Sequence, residues 1–289
     1  MNELIQLRRP MNDNGPDNIV ALHGSLSSGQ QWAKLIEACG RKYHVVAPDL
    51  EGYGSNSLCL EPAPSRLDTE AEYLSEKLEA LAGPIHLVGH SFGGSIAFKL
   101  ATSGRYAHRV RSLTLIEPVL PSILFELDAD RPYYELFAHE CVRVCTPLWR
   151  GQKRLALQRF LTFWNGRRSW DILPPNTRVA MLERVNKVGG DFSAAFEEMG
   201  VGEAARRLTV PTLLLSGGNS PLPAQQIVKR LTSAIPNARH VHMPEAGHML
   251  CVTHAAKLNP TILQHVDMAQ AQSGTALHLM AALGTAFAQ

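Results

Sequence analysis

The feature that most constrains the fold is Gly89-His90-Ser91-Phe92-Gly93, set between two stretches of different periodicity. Before it, Ile85 to Val88 is a short apolar run that reads as a buried strand. After it, Ser95-Ile96-Ala97-Phe98-Lys99-Leu100-Ala101 reads as a helix. Strand, glycine turn and helix in this order make a nucleophile elbow, whose strained backbone lifts the Ser91 hydroxyl above the sheet edge. A Cβ at position 89 or 93 would collide with the neighbouring strand or helix, so both positions call for glycine.

The rest of the chain keeps the same alternation. Asn18 to Leu22 is a buried strand ending in His23-Gly24-Ser25-Leu26, and Gln30 to Cys39 a helix. Tyr43 to Ala47 is the next strand, followed by Pro48-Asp49-Leu50-Glu51-Gly52-Tyr53-Gly54-Ser55. Asp68 is expected to cap a helix running to about Leu81. Val110 to Ile116 is a strand ending in Glu117-Pro118. From 121 to about 206 the period is helical and no strand is convincing. Alternation resumes with a strand at Thr212–Leu215, a helix at Pro223–Leu231 and a last strand at Arg239–Met243, before Pro244-Glu245-Ala246-Gly247-His248. Thr253 to about Gln272 is helical. An edge strand or hairpin fits before the Asn12–Asp17 turn. The apolar tail Thr275–Gln289 is expected to pack on the body or on a neighbour, which leaves a homodimer open. This pattern predicts an α/β fold, a mostly parallel sheet flanked by helices with an inserted all-helical segment. Residues 1–120 and 207–289 would form the core and 121–206 the insertion. In such sheets reactive groups gather at the carboxyl ends of the strands, which here carry His23-Gly24, Ser91, Glu117 and the His248 loop.

Composition narrows the classes. With 45% hydrophobic and 19% charged residues, the 289-residue chain reads as an ordinary globular protein. A net charge of +2 gives no reason to expect nucleic acid or an anionic membrane surface. The N-terminus lacks a basic segment followed by an apolar core, and no apolar run reaches the length of a membrane span. Five scattered cysteines suit reduced thiols in a cytoplasm better than a disulfide framework. Cys141 and Cys145 share a helix face but have no nearby His or Cys partner, so packing is their expected role. No metal and no organic cofactor is expected: the histidines lack ligand spacing, and no Gly-x-Gly-x-x-Gly opens a helix after a strand.

The set His23-Gly24, Asp49-Leu50-Glu51-Gly52-Tyr53-Gly54-Ser55, Gly89-His90-Ser91-Phe92-Gly93 and Gly247-His248 resembles the α/β-hydrolase family in order and spacing. The resemblance covers about 18–120 and 207–268, and residues 121–206 sit where that family inserts its variable cap. A serine hydroxyl is a weak nucleophile near neutral pH and needs a base. Of the twelve histidines, His248 is the best placed, in the loop just beyond the final strand and after a glycine. His23 would shape the oxyanion loop, His90 would fill the elbow, and His86, His240 and His242 fall within strands. An oxyanion needs two preorganised donors. One is the N–H of Phe92, after the nucleophile; by resemblance the other is the N–H of Ser25 or Leu26.

The chain departs from the family pattern at the acid. Most members carry it after the strand that is Thr212–Leu215 here, where this chain has Asn219. An amide orients an imidazole but cannot stabilise the imidazolium; in a serine protease that exchange costs about 10⁴ in kcat. Some members, certain haloalkane dehalogenases among them, carry the acid after the strand following the nucleophile helix. That position is Glu117, the preferred third member, with Glu245 and Asp191 as alternatives.

The inserted segment holds eleven of the nineteen aromatic residues. Trp149, Trp164, Phe125 and Phe137 are the candidates for lining an apolar pocket, although for any single ring gluing the helices together is the simpler role. Arg143, Arg150, Lys153, Arg154, Arg159, Arg167 and Arg168 read first as a solvated helix face. The expected function is a serine hydrolase of a carboxylester, lactone or thioester in a medium-sized apolar or aromatic small molecule. Carbon–carbon bond hydrolysis, perhydrolysis and non-catalytic ligand binding are the alternatives.

Overall fold

The computed structural model describes residues 17–286 except 57, 59, 60 and 104, with side-chain surroundings to residue 272. The expected N-terminal hairpin and the packing of the 275–289 tail lie outside the described residues. Six strands form one sheet: β1 (Asn18–Leu22), β2 (His44–Val46), β3 (Ile85–His90), β4 (Val110–Ile116), β5 (Thr212–Gly217) and β6 (Ala238–Met243). Their order is β2-β1-β3-β4-β5-β6, and every neighbouring pair is parallel. Strands β1, β3 and β5 are buried along their whole length, which is why they are rich in Val, Ile and Leu. Chain order reverses between β1 and β3, so the carboxyl ends of these strands border the crevice where a parallel sheet accepts ligands.

Helices α1 (Ala33–Cys39), α2 (Leu67–Leu78) and α3 (Phe92–Thr102) alternate with the first four strands. Between β4 and β5 lie α4 (Arg131–Trp149), α5 (Lys153–Asn165), α6 (Ser169–Ile172), α7 (Pro175–Arg184), α8 (Lys187–Glu197) and α9 (Val201–Arg207), with no strand among the described residues. Helices α10 (Leu222–Ala234), α11 (Leu250–Thr253) and α12 (Ala255–Ala286) complete the chain. One apolar cluster covers the face of the sheet with α1 and α12, joining Trp32 and Leu35 to Leu258 and Ile262. The other joins Leu87, Phe92 and Leu120 to Phe137, Trp164 and Phe192, so the inserted helices share a core with the sheet. No helix among the described residues is long and apolar enough to cross a membrane.

Two local expectations need correction. Asp68 is not a cap: Arg66 holds that position, and Asp68 lies in the first turn of α2, 2.8 Å from Lys99 Nζ. A carboxylate there still favours the positive end of the helix dipole. The last helical stretch is broken at His254 into α11 and α12.

Candidate active site

The elbow is built by close approach. A Cβ on Gly89 would stand 2.5 Å from Gly93 O, and one on Gly93 would stand 2.3 Å from His23 O. Packing therefore requires glycine at both positions and drives Ser91 to φ +54°. Among the described residues only Leu26, Ser91 and Glu117 are non-glycine residues with positive φ. All three stand at strand ends bordering the crevice, and strain of this kind, about 1–3 kcal/mol each, persists only where surrounding structure enforces it.

Three side chains meet above the sheet edge. Ser91 Oγ lies 3.0 Å from His248 Nε2, and His248 Nδ1 lies 2.6 Å from Glu117 Oε2. Each is at least nine-tenths buried. With Nδ1–H donated to the carboxylate, Nε2 is left to accept the Ser91 proton. Glu117 is fixed from its other oxygen by the Gly217 N–H, 2.7 Å from Oε1. A Cβ on Gly217 would lie 2.3 Å from Ala246 O. The strand where the family usually carries its acid thus supplies a backbone donor to the carboxylate of its neighbour. Ser95 Oγ holds the loop after Glu117, donating to Val119 O at 2.7 Å and accepting from Val119 N at 3.0 Å.

The other candidate acids are engaged elsewhere. Asn219 is exposed and donates to Glu245 O at 3.0 Å. Glu245 pairs with Lys257 at 2.7 Å. Asp191 accepts from Ser25 Oγ and Tyr53 OH, each at 2.5 Å, and from Lys187 Nζ at 2.7 Å.

The histidines divide as their partners dictate. His23 accepts the Leu50 N–H at Nε2 and so carries its proton on Nδ1, which donates to Gly24 O at 2.8 Å. Burial lowers its pKa. His90 is more than a filler. Its Nε2–H donates to the His248 carbonyl at 2.9 Å, while Nδ1 accepts from Gln31 Nε2 at 3.3 Å. Burial, then the neighbouring His248, pushes its pKa down to about 3, so it holds the His248 backbone as a neutral ring. Sequence reading missed this role and that of Gln31; the only signal was a polar residue at a position bound to be buried.

Phe92 opens α3, so its N–H has no intrahelical acceptor. Ser25 and Leu26 make no backbone N–H bond among the described residues, whereas the Ser27 N–H returns to Gly24 O. Of the four aromatic candidates, one reaches the site. Trp164 stacks on His248 with ring centroids 4.0 Å apart and planes at 25°. Its Nε1 is buried and has no hydrogen-bond partner among the described residues. Phe137 is buried one layer behind, edge-on to Trp164 at 5.7 Å. Phe125 and Trp149 lie at the surface. Phe125 is half exposed against Tyr134. Trp149, 71% exposed, falls beyond the buried stripe of α4 formed by Phe137, Cys141, Val144, Cys145 and Leu148. A cavity of about 420 Å³ opens beside Phe163, bordered by Leu136, Thr162, Leu222 and the paired Glu140 and Arg143. None of Ser91, His248, Glu117 and Trp164 lines this cavity, so it lies apart from the three side chains that meet above the sheet edge.

The model of the alpha/beta hydrolase fold family matches residues 17–255. The chain belongs to that family and is a hydrolase. The lipase LipV of Mycobacterium tuberculosis is 32% identical over 107 residues, 37% of this chain and 39% of that protein. The pimeloyl-[acyl-carrier protein] methyl ester esterase of Aeromonas hydrophila is 26% identical over 252 residues, 83% of this chain and 91% of that protein. The solved structure of MenH from S. aureus has a TM-score of 0.72 at 22% identity, covering 90% of this chain and 96% of that one, a likeness of fold.

Proposed function

We propose that the protein hydrolyses an ester-type acyl bond (carboxylester, lactone or thioester) of a medium-sized apolar or aromatic small molecule through an acyl-enzyme. The observation that carries this reading is the row from Ser91 Oγ to His248 at 3.0 Å and from His248 to Glu117 at 2.6 Å, with Ser91 in a strained elbow. Ser91 Oγ attacks the carbonyl carbon while His248 Nε2 takes its proton. Glu117 stabilises the resulting imidazolium through Nδ1–H. The oxyanion is held by the Phe92 N–H and by that of Ser25 or Leu26. His248 returns the proton to the leaving oxygen or sulfur, and water then releases the acid by the reverse sequence. Two relatives whose names denote ester-cleaving enzymes, LipV and the methyl ester esterase, support this reading.

Residues 121–206 act as a cap, from which Trp164 covers the imidazole and excludes water. Its unpaired N–H is the donor offered to a substrate oxygen; a buried unpaired donor costs about 1–3 kcal/mol, which a bound acceptor would recover. The non-catalytic alternative drew on Asn219; Glu117, 2.6 Å from His248, favours the hydrolytic reading instead.

The test is hydrolysis of p-nitrophenyl esters of increasing acyl length by wild type and Ser91→Ala, with labelling by a fluorophosphonate probe. The expected result is a burst, turnover and labelling, all lost in Ser91→Ala, with an optimum beyond acetyl. Ester turnover undiminished in the alanine variant would overturn the mechanism.

A further inference from the structure

The buried cluster around Asp191 is used neither by the fold's apolar layers nor by the proposed proton relay. Lys187 and Asp191 stand one turn apart on α8, and both are more than nine-tenths buried. Lys187 Nζ lies 2.7 Å from Asp191 Oδ1 and 2.5 Å from Glu70 Oε1 of α2. Ser65 donates to the same Glu70 oxygen at 2.9 Å. The second Asp191 oxygen receives two hydroxyls, Ser25 Oγ and Tyr53 OH, each at 2.5 Å. The Lys187 ammonium also sits 5.2 Å from the centre of the Phe92 ring. One residue of the inserted helices therefore holds the loop after β1 by the side chain of Ser25. That loop carries Leu26 at φ +60°, a conformation it keeps only under external constraint.

We propose that Asp191, itself oriented by Lys187, is a positioning residue that fixes the oxyanion loop through Ser25, so that seating α8 on the sheet and shaping the oxyanion hole are a single event. This rests on the hydrolase reading for its catalytic consequence, though not for its structural one. The Ser25 hydroxyl and the Ser25 and Leu26 N–H groups belong to one short strained loop. A carboxylate that accepts the hydroxyl while anchored to a buried ammonium holds that loop more rigidly than water could. The cluster carries two carboxylates against one ammonium. Asp191→Asn removes the surplus negative charge and leaves the Lys187–Glu70 pair intact, so the fold is expected to persist. An amide offers Ser25 and Tyr53 an acceptor only by turning its N–H toward the ammonium.

The experiment compares wild type, Asp191→Asn, Ser25→Ala and the double variant by p-nitrophenyl ester kinetics and by hydrogen–deuterium exchange of the segment 24–28. Removing an oxyanion donor outright costs about 10²–10³ in kcat, and loosening one is expected to cost about 10- to 100-fold. The loss should fall on kcat with KM nearly unchanged, because the oxyanion exists only after attack. The double variant should be no slower than the slower single variant. Exchange of 24–28 should rise in Asp191→Asn, while that of the β3–α3 elbow stays as in wild type. Multiplicative losses in the double variant, a loss confined to KM, wild-type kcat in Asp191→Asn, or a kcat loss with unchanged exchange would each overturn the proposal. If Ser91→Ala retains full ester turnover, the hydrolase reading fails, and exchange at 24–28 alone decides whether Asp191 holds the loop.

Discussion

Glu117 is held from both sides, by Gly217 N–H on one oxygen and His248 on the other, while Asn219 points to solvent. Exchanging the carboxylate for an amide should therefore act at Glu117 and not at Asn219. Glu117→Gln keeps the volume but leaves the imidazolium without a counter-charge, and kcat should fall by about 10³–10⁴ with KM little changed. Asn219→Asp should stay within about threefold of wild type, since its side chain bonds a backbone carbonyl at the surface. Ester kinetics on both folded variants checks the pair, and a large gain from Asn219→Asp would return the acid to its usual strand. Ser91 and His248 were legible because glycines and strand ends frame them. Glu117 was legible by its place after β4, but its positive φ was not, since nothing in a glutamate announces that conformation. Asp191 was read as a spare acid because its partner Ser25 lies 166 residues away, and no local pattern links them.

At the scale of elements, the strands were legible to within a residue or two, β1, β3 and β5 because burial on both faces makes them mostly apolar. Aromatic placement on the inserted helices was harder, because a helix turns neighbouring rings to different environments. On α5, Phe163 borders the cavity while Trp164 turns onto His248. Which ring meets the site depends on how α5 rotates against the sheet, and that is settled by tertiary packing. Trp164 divides into a face and a donor, which two substitutions separate. Trp164→Phe keeps a ring over the imidazole and removes the N–H. It should hold kcat on a plain alkanoyl ester within a few-fold, yet raise KM for an ester bearing a second acceptor oxygen by about 5- to 10-fold, the value of one hydrogen bond. Trp164→Leu removes the face as well and should lower kcat on both substrates by about tenfold. Parallel kinetics on the two esters makes the comparison; equal behaviour of the Phe and Leu variants would deny the indole N–H any role in substrate choice.

Across the whole molecule, burial of imidazoles sets how the fold responds to acid. Burial lowers the pKa of His23 and His86, pushes His90 down to about 3 and His265 down to about 4. In the unfolded chain each returns to about 6.5. Below that value the unfolded state binds protons that the folded state refuses, so stability is full above about pH 7 and falls as pH drops through 6.5 toward 4. At pH 5.5, a histidine that stays neutral in the fold costs about 1.4 kcal/mol, so His90 and His265 together cost about 3 kcal/mol, and the lowered His23 and His86 add to that. That is a sizeable share of the net stability of a whole domain, about 5–15 kcal/mol. Between pH 7.5 and 5.5 ordinary carboxylates, with pKa values of about 3.9–4.3, stay largely ionised, so the loss over that interval belongs to the histidines. Urea midpoints should therefore drop steeply between pH 7.5 and 5.5. His265, on α12 and away from Ser91, offers a control: His265→Leu should flatten the pH dependence by about one proton and leave ester turnover at pH 7.5 unchanged. Equal urea midpoints at the two pH values in wild type would mean that the buried histidines take up protons without unfolding, and the acid sensitivity argued from their burial would fall.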